Sequence, residues 1–163
     1  MGGGRAPDSS QKEGAIMYEK EEREDLIDYK ELKKADGYPF FEASRRPDNS
    51  FIAVNWIGTQ SLETVVMGGN HILAMLREKP CQGLLNSNRE LIGPWDAAVS
   101  WLSYKWVPQA KELGLRYYAH VLSPGIYGQR SFAMFQESLK SHFSMRPFND
   151  EKRAEEWLQM KLV

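Results

Sequence analysis

Cys81-Gln-Gly-Leu-Leu-Asn-Ser-Asn-Arg-Glu-Leu-Ile-Gly-Pro-Trp-Asp96 is where the chain shows its architecture most plainly. The run Cys81 to Leu85 reads as a buried strand, Asn86 to Arg89 as its polar tip, and Gly93-Pro94 as the opening of a helix. A strand that hands over to a helix through a polar tip is the edge at which open α/β sheets meet ligands and partners. This edge offers no acidic residue at the strand end, no glycine-rich phosphate loop and no nucleophile with an attendant base. The stretch therefore points to a fold before it points to a chemistry.

Working outward, Lys79-Pro80 closes a helix that begins after Thr59 or Ser61 and repeats apolar residues at Leu62, Val65, Val66, Ile72, Leu73 and Leu76. Gly68-Gly69 in its middle points to close packing or a bend. Upstream, Phe40 to Arg45 and Phe51 to Ile57 flank the turn Arg46-Pro47-Asp48-Asn49 and form an antiparallel hairpin. On the downstream side a helix from Pro94 to about Leu113 is followed by the strand Leu115 to Leu122 and the tip Ser123-Pro124-Gly125. Then come a helix from about Tyr127 to Ser141, a short strand His142 to Arg146, and a last helix capped by Asn149-Asp150. The expected fold is α/β: a mixed, mostly parallel sheet of four to five strands with a leading antiparallel hairpin and flanking helices. Residues 1 to 17 read as a disordered tail and 18 to 37 as a charged helical extension, with the α/β domain over 38 to 163.

Composition bounds the function. The 163 residues carry 21 basic and 22 acidic side chains, and this balance argues against nucleic acid as the partner. The single cysteine, Cys81, rules out an internal disulfide and fits a reducing, cytoplasmic setting; no apolar run is long enough to insert in a membrane. His71, His120 and His142 lack the spacing of a metal site, and no nucleotide loop or nucleophile elbow is present. No metal, cofactor or catalytic set is therefore expected, and Cys81 reads as an inert structural thiol.

Several segments carry a resemblance: Phe51-Ile-Ala-Val-Asn-Trp-Ile-Gly58, Gly83-Leu-Leu-Asn-Ser-Asn-Arg-Glu-Leu91, Trp101-Leu-Ser-Tyr-Lys-Trp-Val-Pro108 and Met145-Arg-Pro-Phe-Asn-Asp150. In order of elements and in apolar and tryptophan positions, residues 38 to 160 resemble STAS-like domains. Within them the chain looks most like small stand-alone bacterial proteins related to the anti-sigma-factor antagonists of sporulation. The resemblance implies a non-enzymatic regulatory or protein-interaction module that meets a protein partner or a second copy of itself as a homodimer. The regulatory members carry an acidic strand end and a phosphorylatable hydroxyl at the next helix N-terminus. Asn86 and Asn88 stand in the acidic region here, and Gly93-Pro94-Trp95-Asp96 has no hydroxyl, so no phosphoacceptor serine is evident; Ser87 is the one hydroxyl nearby.

The expected contact surface comprises Asn86, Ser87, Asn88 and Arg89 with Ser123, Tyr127 and the helix start at Trp95. Trp101 and Tyr104 fall off the inward stripe of their helix. They either pack beneath the N-terminal extension or form an exposed aromatic patch. Pro108 should kink that helix near Tyr104, opening a cleft or following the curvature of the sheet. The alternative function is binding of a small apolar or lipid-like ligand between helices that part around Met67, Met75, Met134 and Phe135.

Overall fold

The computed structural model describes residues 26 to 162. The expected tail and the extension up to residue 25 lie outside them. Six strands form one sheet in the order β1-β2-β3-β4-β5-β6: Ile27–Lys33, Pro39–Arg45, Phe51–Thr59, Gly83–Ile92, Tyr117–Val121 and Ser144–Phe148. The first three pair antiparallel and the last four parallel. The mixed α/β fold read from the sequence is thus the observed one, with one strand more than expected.

The extra strand is β1. Its alternating charges suggested a helix, but Ile27–Lys33 lies along β2 and takes its backbone hydrogen bonds there. One residue more on β1 than on β2 separates the pairs Ile27↔Arg45 and Lys30↔Ala43, and Asp28 sits in this bulge at φ 57°. A bulged, charged strand is a usual way to finish a sheet edge.

Helix α1 (Leu62–Glu78) starts at a reciprocal cap in which Ser61 Oγ accepts from the Thr64 N–H and Thr64 Oγ1 from the Ser61 N–H. Its other end is closed by a side chain from the sheet. Arg45, 2 % exposed, donates to the carbonyls of Met75 and Lys79 and pairs with Asp28. A guanidinium is suited to the last carbonyls of a helix, which carry partial negative charge.

Helix α2 occupies residues 96–112, helix α3 Ile126–Lys140 and helix α4 Glu151–Lys161. The strand order from β3 to β6 is monotonic, so crossovers of one hand place α1, α2 and α3 on the same face of the sheet. Ile52, Val54 and Trp56 of β3 point into that large core, and Phe51 and Ala53 point to the other face, as the alternation predicts. There α4, capped by Asp150, lays Ala154, Trp157 and Leu158 across β4 and β5.

Pro108 acts differently from expectation. Instead of a plain kink, a π turn over Leu102–Trp106 joins the α-helical segments Asp96–Trp101 and Val107–Glu112, and the Val107 N–H donates to the Leu102 carbonyl. The extra residue rotates the following turn, so Val107 and Ala110 face inward.

Candidate functional site

Strand β4 runs through the middle of the sheet and extends beyond its apolar start to Ile92. Asn86 and Asn88 follow Leu84 onto the face covered by three helices, and Leu85 and Ser87 face α4. Between Asn55↔Ser87 and Ile57↔Glu90 the strand carries one residue more than its neighbour β3. Such a bulge inverts the alternation beyond it, which returns the odd-numbered Leu91 to the face of Asn86 and Asn88.

Those three residues floor a chamber walled by the indoles of Trp56, Trp95 and Trp106 together with Tyr118 and Phe135. Half-buried Gln60 and Leu102 stand among these otherwise buried lining residues and form the rim. The space open to the centre of a water molecule is ≈ 40 Å³. Each wall is held by a separate device. Trp56 Nε1 donates to Asn86 Oδ1 at 2.8 Å, and Trp106 Nε1 donates to the Gly69 carbonyl at 3.0 Å. Trp95 is fixed through its backbone, whose N–H donates to Ser131 Oγ at 2.9 Å, while Ser131 donates to Asp96.

The chamber is electrically neutral. Asn86 Oδ1 is taken by Trp56, so its Nδ2 donates to His120 Nδ1 at 3.3 Å, and the imidazole proton is assigned to Nε2. His120 stacks on Phe132 with ring centres 3.8 Å apart, and burial holds its pKa down to about 3. Burial likewise pushes the Tyr118 hydroxyl well above its ordinary value, so both rings are uncharged at neutral pH. Three polar groups stand out. Trp95 Nε1 and His120 Nε2 are buried without a partner, and Asn88, 2 % exposed, makes no side-chain hydrogen bond among the described residues. An unpaired buried amide is costly unless something else satisfies it.

The residues expected to form one contact surface are divided by the fold. Asn86, Ser87, Asn88, Trp95 and Ser123 are buried: β4 continues past the first three, and neighbouring elements cover all five. Asn86, Asn88 and Trp95 meet in the chamber. Ser87 lies on the opposite face, where Oγ donates to Glu151 at 3.1 Å; it is 1 % exposed and closed to a modifying enzyme in this conformation. Arg89 is exposed and donates to the Asn149 carbonyl. Trp101 is half-buried against α1 at Gly69, whereas Tyr104 is exposed. Of the four side chains expected around a ligand pocket, Met67 and Met134 are exposed, Met75 is in the core, and Phe135 lines the chamber.

An open groove lies on the other face, beside α4. Its carboxylates are already engaged, Glu42 by Tyr29 and Asn55, Glu151 by Ser87 and Glu155 by Arg46. Cys81 is buried, and burial pushes its thiol up. Among the described residues no cluster of three or more His, Cys, Asp or Glu is arranged for a metal ion, and no helix is long and apolar enough to cross a membrane. The sequence reading missed Trp56, Gln60, Trp106 and Tyr118 as parts of a site. The available signal was two asparagines at alternate positions directly after the apolar start of the central strand.

Compared with known protein families and curated proteins, the chain matches no family model and no curated protein.

Proposed function

We propose that this protein is a non-enzymatic protein-interaction module, of the regulatory kind that its resemblance to STAS-like domains implies, and that it docks a protein partner through the carboxyl edge of its parallel strands. The observation that carries the reading is the exposure of Ile92, Ile126 and Tyr127, 64 %, 65 % and 59 %, at the end of β4 and in the first turn of α3, at that edge. The segments following β4 and β5 are pinned together. Ser123 Oγ donates to the Leu91 carbonyl, Gln129 Nε2 donates to the Ser123 carbonyl, and an added Cβ on Gly128 would lie 3.5 Å from the Gly93 carbonyl. Large apolar side chains on a fixed scaffold lose little conformational freedom on docking, which is what an interface anchor needs.

The test is recovery of a partner from extracts of the source cells by the wild-type protein and by an Ile126→Asp, Tyr127→Asp double variant. Met160→Asp, which alters another exposed apolar residue on α4, is the control. The reading expects a partner recovered by the wild type and the control and lost with the double variant. Sedimentation of the purified protein shows whether that partner is a second copy. Equal recovery by all three proteins sinks the proposal.

A further inference from the structure

We propose that the groove beside α4 is a binding site for a small aliphatic diamine, held between Glu42 and Glu151. The inference is independent of partner docking at the edge of the sheet. Helix α4 packs on β4 and β5 and leaves this face of β2 and β3 to the groove, whose volume is ≈ 390 Å³. That lies within the range of small-molecule sites, roughly 300–1,000 Å³. Strand register lays two rows of side chains across the floor. Glu42 is opposite Asn55, and Asn55 is beside Ser87, which donates to Glu151; one step along, Ser44, Ala53 and Leu85 form the second row.

Charge and hydrogen bonding select the ligand. Arg46 neutralises Glu155, but Glu42 and Glu151 accept only from the uncharged groups of Tyr29, Asn55 and Ser87, and no cation among the described residues pairs with either. A carboxylate has about four acceptor positions, so each can take further N–H donors. Two more acceptors stand on the floor. Asn55 turns its amide nitrogen to Glu42 and Glu90, which leaves Asn55 Oδ1 buried without a partner. The Ser44 hydroxyl, on a residue 8 % exposed, bonds no described group. Many acceptors and two uncompensated negative charges call for a donor-rich dication. The chain just ahead of Leu26 does not supply it, since Glu19 to Asp25 hold five carboxylates against two cations. Among the described residues the carboxylates are not set for a metal ion either. Glu42 rises from β2 and Glu151 meets β4, two strand spacings or about 10 Å apart at the backbone. Two ammonium groups joined by a short methylene chain match that span, with the methylenes lying on Ala53 and Leu85.

The probe is 1,4-diaminobutane in about 0.15 M salt, which mutes loose attraction to surface carboxylates. Binding is followed by the backbone resonances of Ser44 and Ala53 and the side-chain amide of Asn55. Saturable shifts are expected there, with the side-chain amide of Asn70, on α1 across the sheet, as the unmoved control. Butylamine, which lacks one charge, should bind about fivefold more weakly, as one partly exposed charge pair is worth, and uncharged 1,4-butanediol about twentyfold or more. Glu42→Gln keeps an acceptor for Tyr29 and Asn55, removes the charge, and should weaken the diamine about fivefold. Glu63→Gln, on α1, makes the same change in net charge and should leave binding intact. Should the Glu42 variant fail to fold, the comparison of the three ligands on the wild type still decides. Equal affinity for diamine and diol, undiminished binding by Glu42→Gln, an equal loss with Glu63→Gln, or no saturable shift would each overturn the proposal. Partner recovery is a separate measurement, so failure here leaves the docking edge standing and the reverse holds too.

Discussion

Gly68→Ala pits helix propensity against packing, and the structure decides which wins. Gly68 lies inside α1, where alanine is the better helix former by roughly 1 kcal/mol. A Cβ at this position, however, would stand 2.4 and 2.6 Å from two ring atoms of Trp56 and 2.7 Å from a ring atom of Phe41. Comfortable carbon contacts begin near ~3.5 Å, so the methyl would overlap both rings by most of an ångström or more. Neither ring can move aside easily. Phe41 is fully buried, the two pack edge to face at 4.8 Å, and Trp56 is tied by its indole N–H to Asn86. Overpacking of a core costs about 1–3 kcal/mol, and two pinned rings put this case at or beyond the upper end. After the propensity gain the net loss is about 2 kcal/mol, or roughly 4–8 °C in Tm for a domain of this size. Urea unfolding followed by tryptophan fluorescence should show a lower midpoint at unchanged slope. Gly69→Ala is the internal comparison. Its Cβ would meet Trp101 at 2.8 Å, but that ring is half-buried and can swing outward, and the held Trp106 ring at 3.2 Å need give only slightly, so the loss should stay below that of Gly68→Ala. A Gly68→Ala midpoint at or above that of the wild type would refute the close approach of α1 to the sheet.

Two further outcomes follow from buried polar groups. His120 has a folded pKa of about 3 against an ordinary value of 6.5, so the unfolded chain takes up its proton first. Stability is then lost as pH falls below 6.5, by about 3 kcal/mol at pH 4.5, and His120→Gln should flatten that limb of a stability–pH curve; an unchanged slope would rule out the neutral buried imidazole. Arg45→Met strips the Met75 and Lys79 carbonyls of their donor and Asp28 of its partner, with an expected loss of about 3 kcal/mol in denaturant unfolding. A loss under about 1 kcal/mol would mean that water replaces the guanidinium at the end of α1.

The legible parts of the fold were those specified by local pattern. The turn at Arg46 to Asn49, the inward and outward residues of β3 and the last helix with Ala154, Trp157 and Leu158 buried all follow from alternation, turn chemistry and helical spacing. Residues 27–33 resisted because their charges suit a surface helix as well as an edge strand, and pairing with β2 decides between them. The site was misread for a related reason. Asn86, Ser87 and Asn88 are polar in sequence and look like a strand tip. Asn86 and Ser87 are buried because Trp56, His120 and Glu151, 30 or more positions away, supply hydrogen-bond partners. Asn88 has no such partner, and its burial comes from the cover of three helices. The bulge that returns Leu91 to the chamber leaves no mark in the sequence.

Two one-residue irregularities flank the chamber, the bulge in β4 and the π turn in α2, and the cause of the second can be tested. One account assigns it to Pro108, which lacks an N–H and presses on the preceding turn. The other assigns it to the chamber wall. Reverting residues 102–106 to regular α-helix would turn the following segment by about 100° per residue removed, carrying Val107 and Ala110 out of the core. It would also pull Trp106 away from the Gly69 carbonyl. Exposing Val107 alone forfeits about 1.5 kcal/mol or more, and a buried hydrogen bond adds about 1 kcal/mol. A local π turn is thus the lesser cost even without proline. In Pro108→Ala the turn should persist, with the Trp106 indole N–H as slow to exchange as in the wild type and stability raised. Loss of that protection, with an α-helical pattern of backbone contacts across residues 102–107, would mean that proline alone makes the turn and that the chamber wall merely follows it.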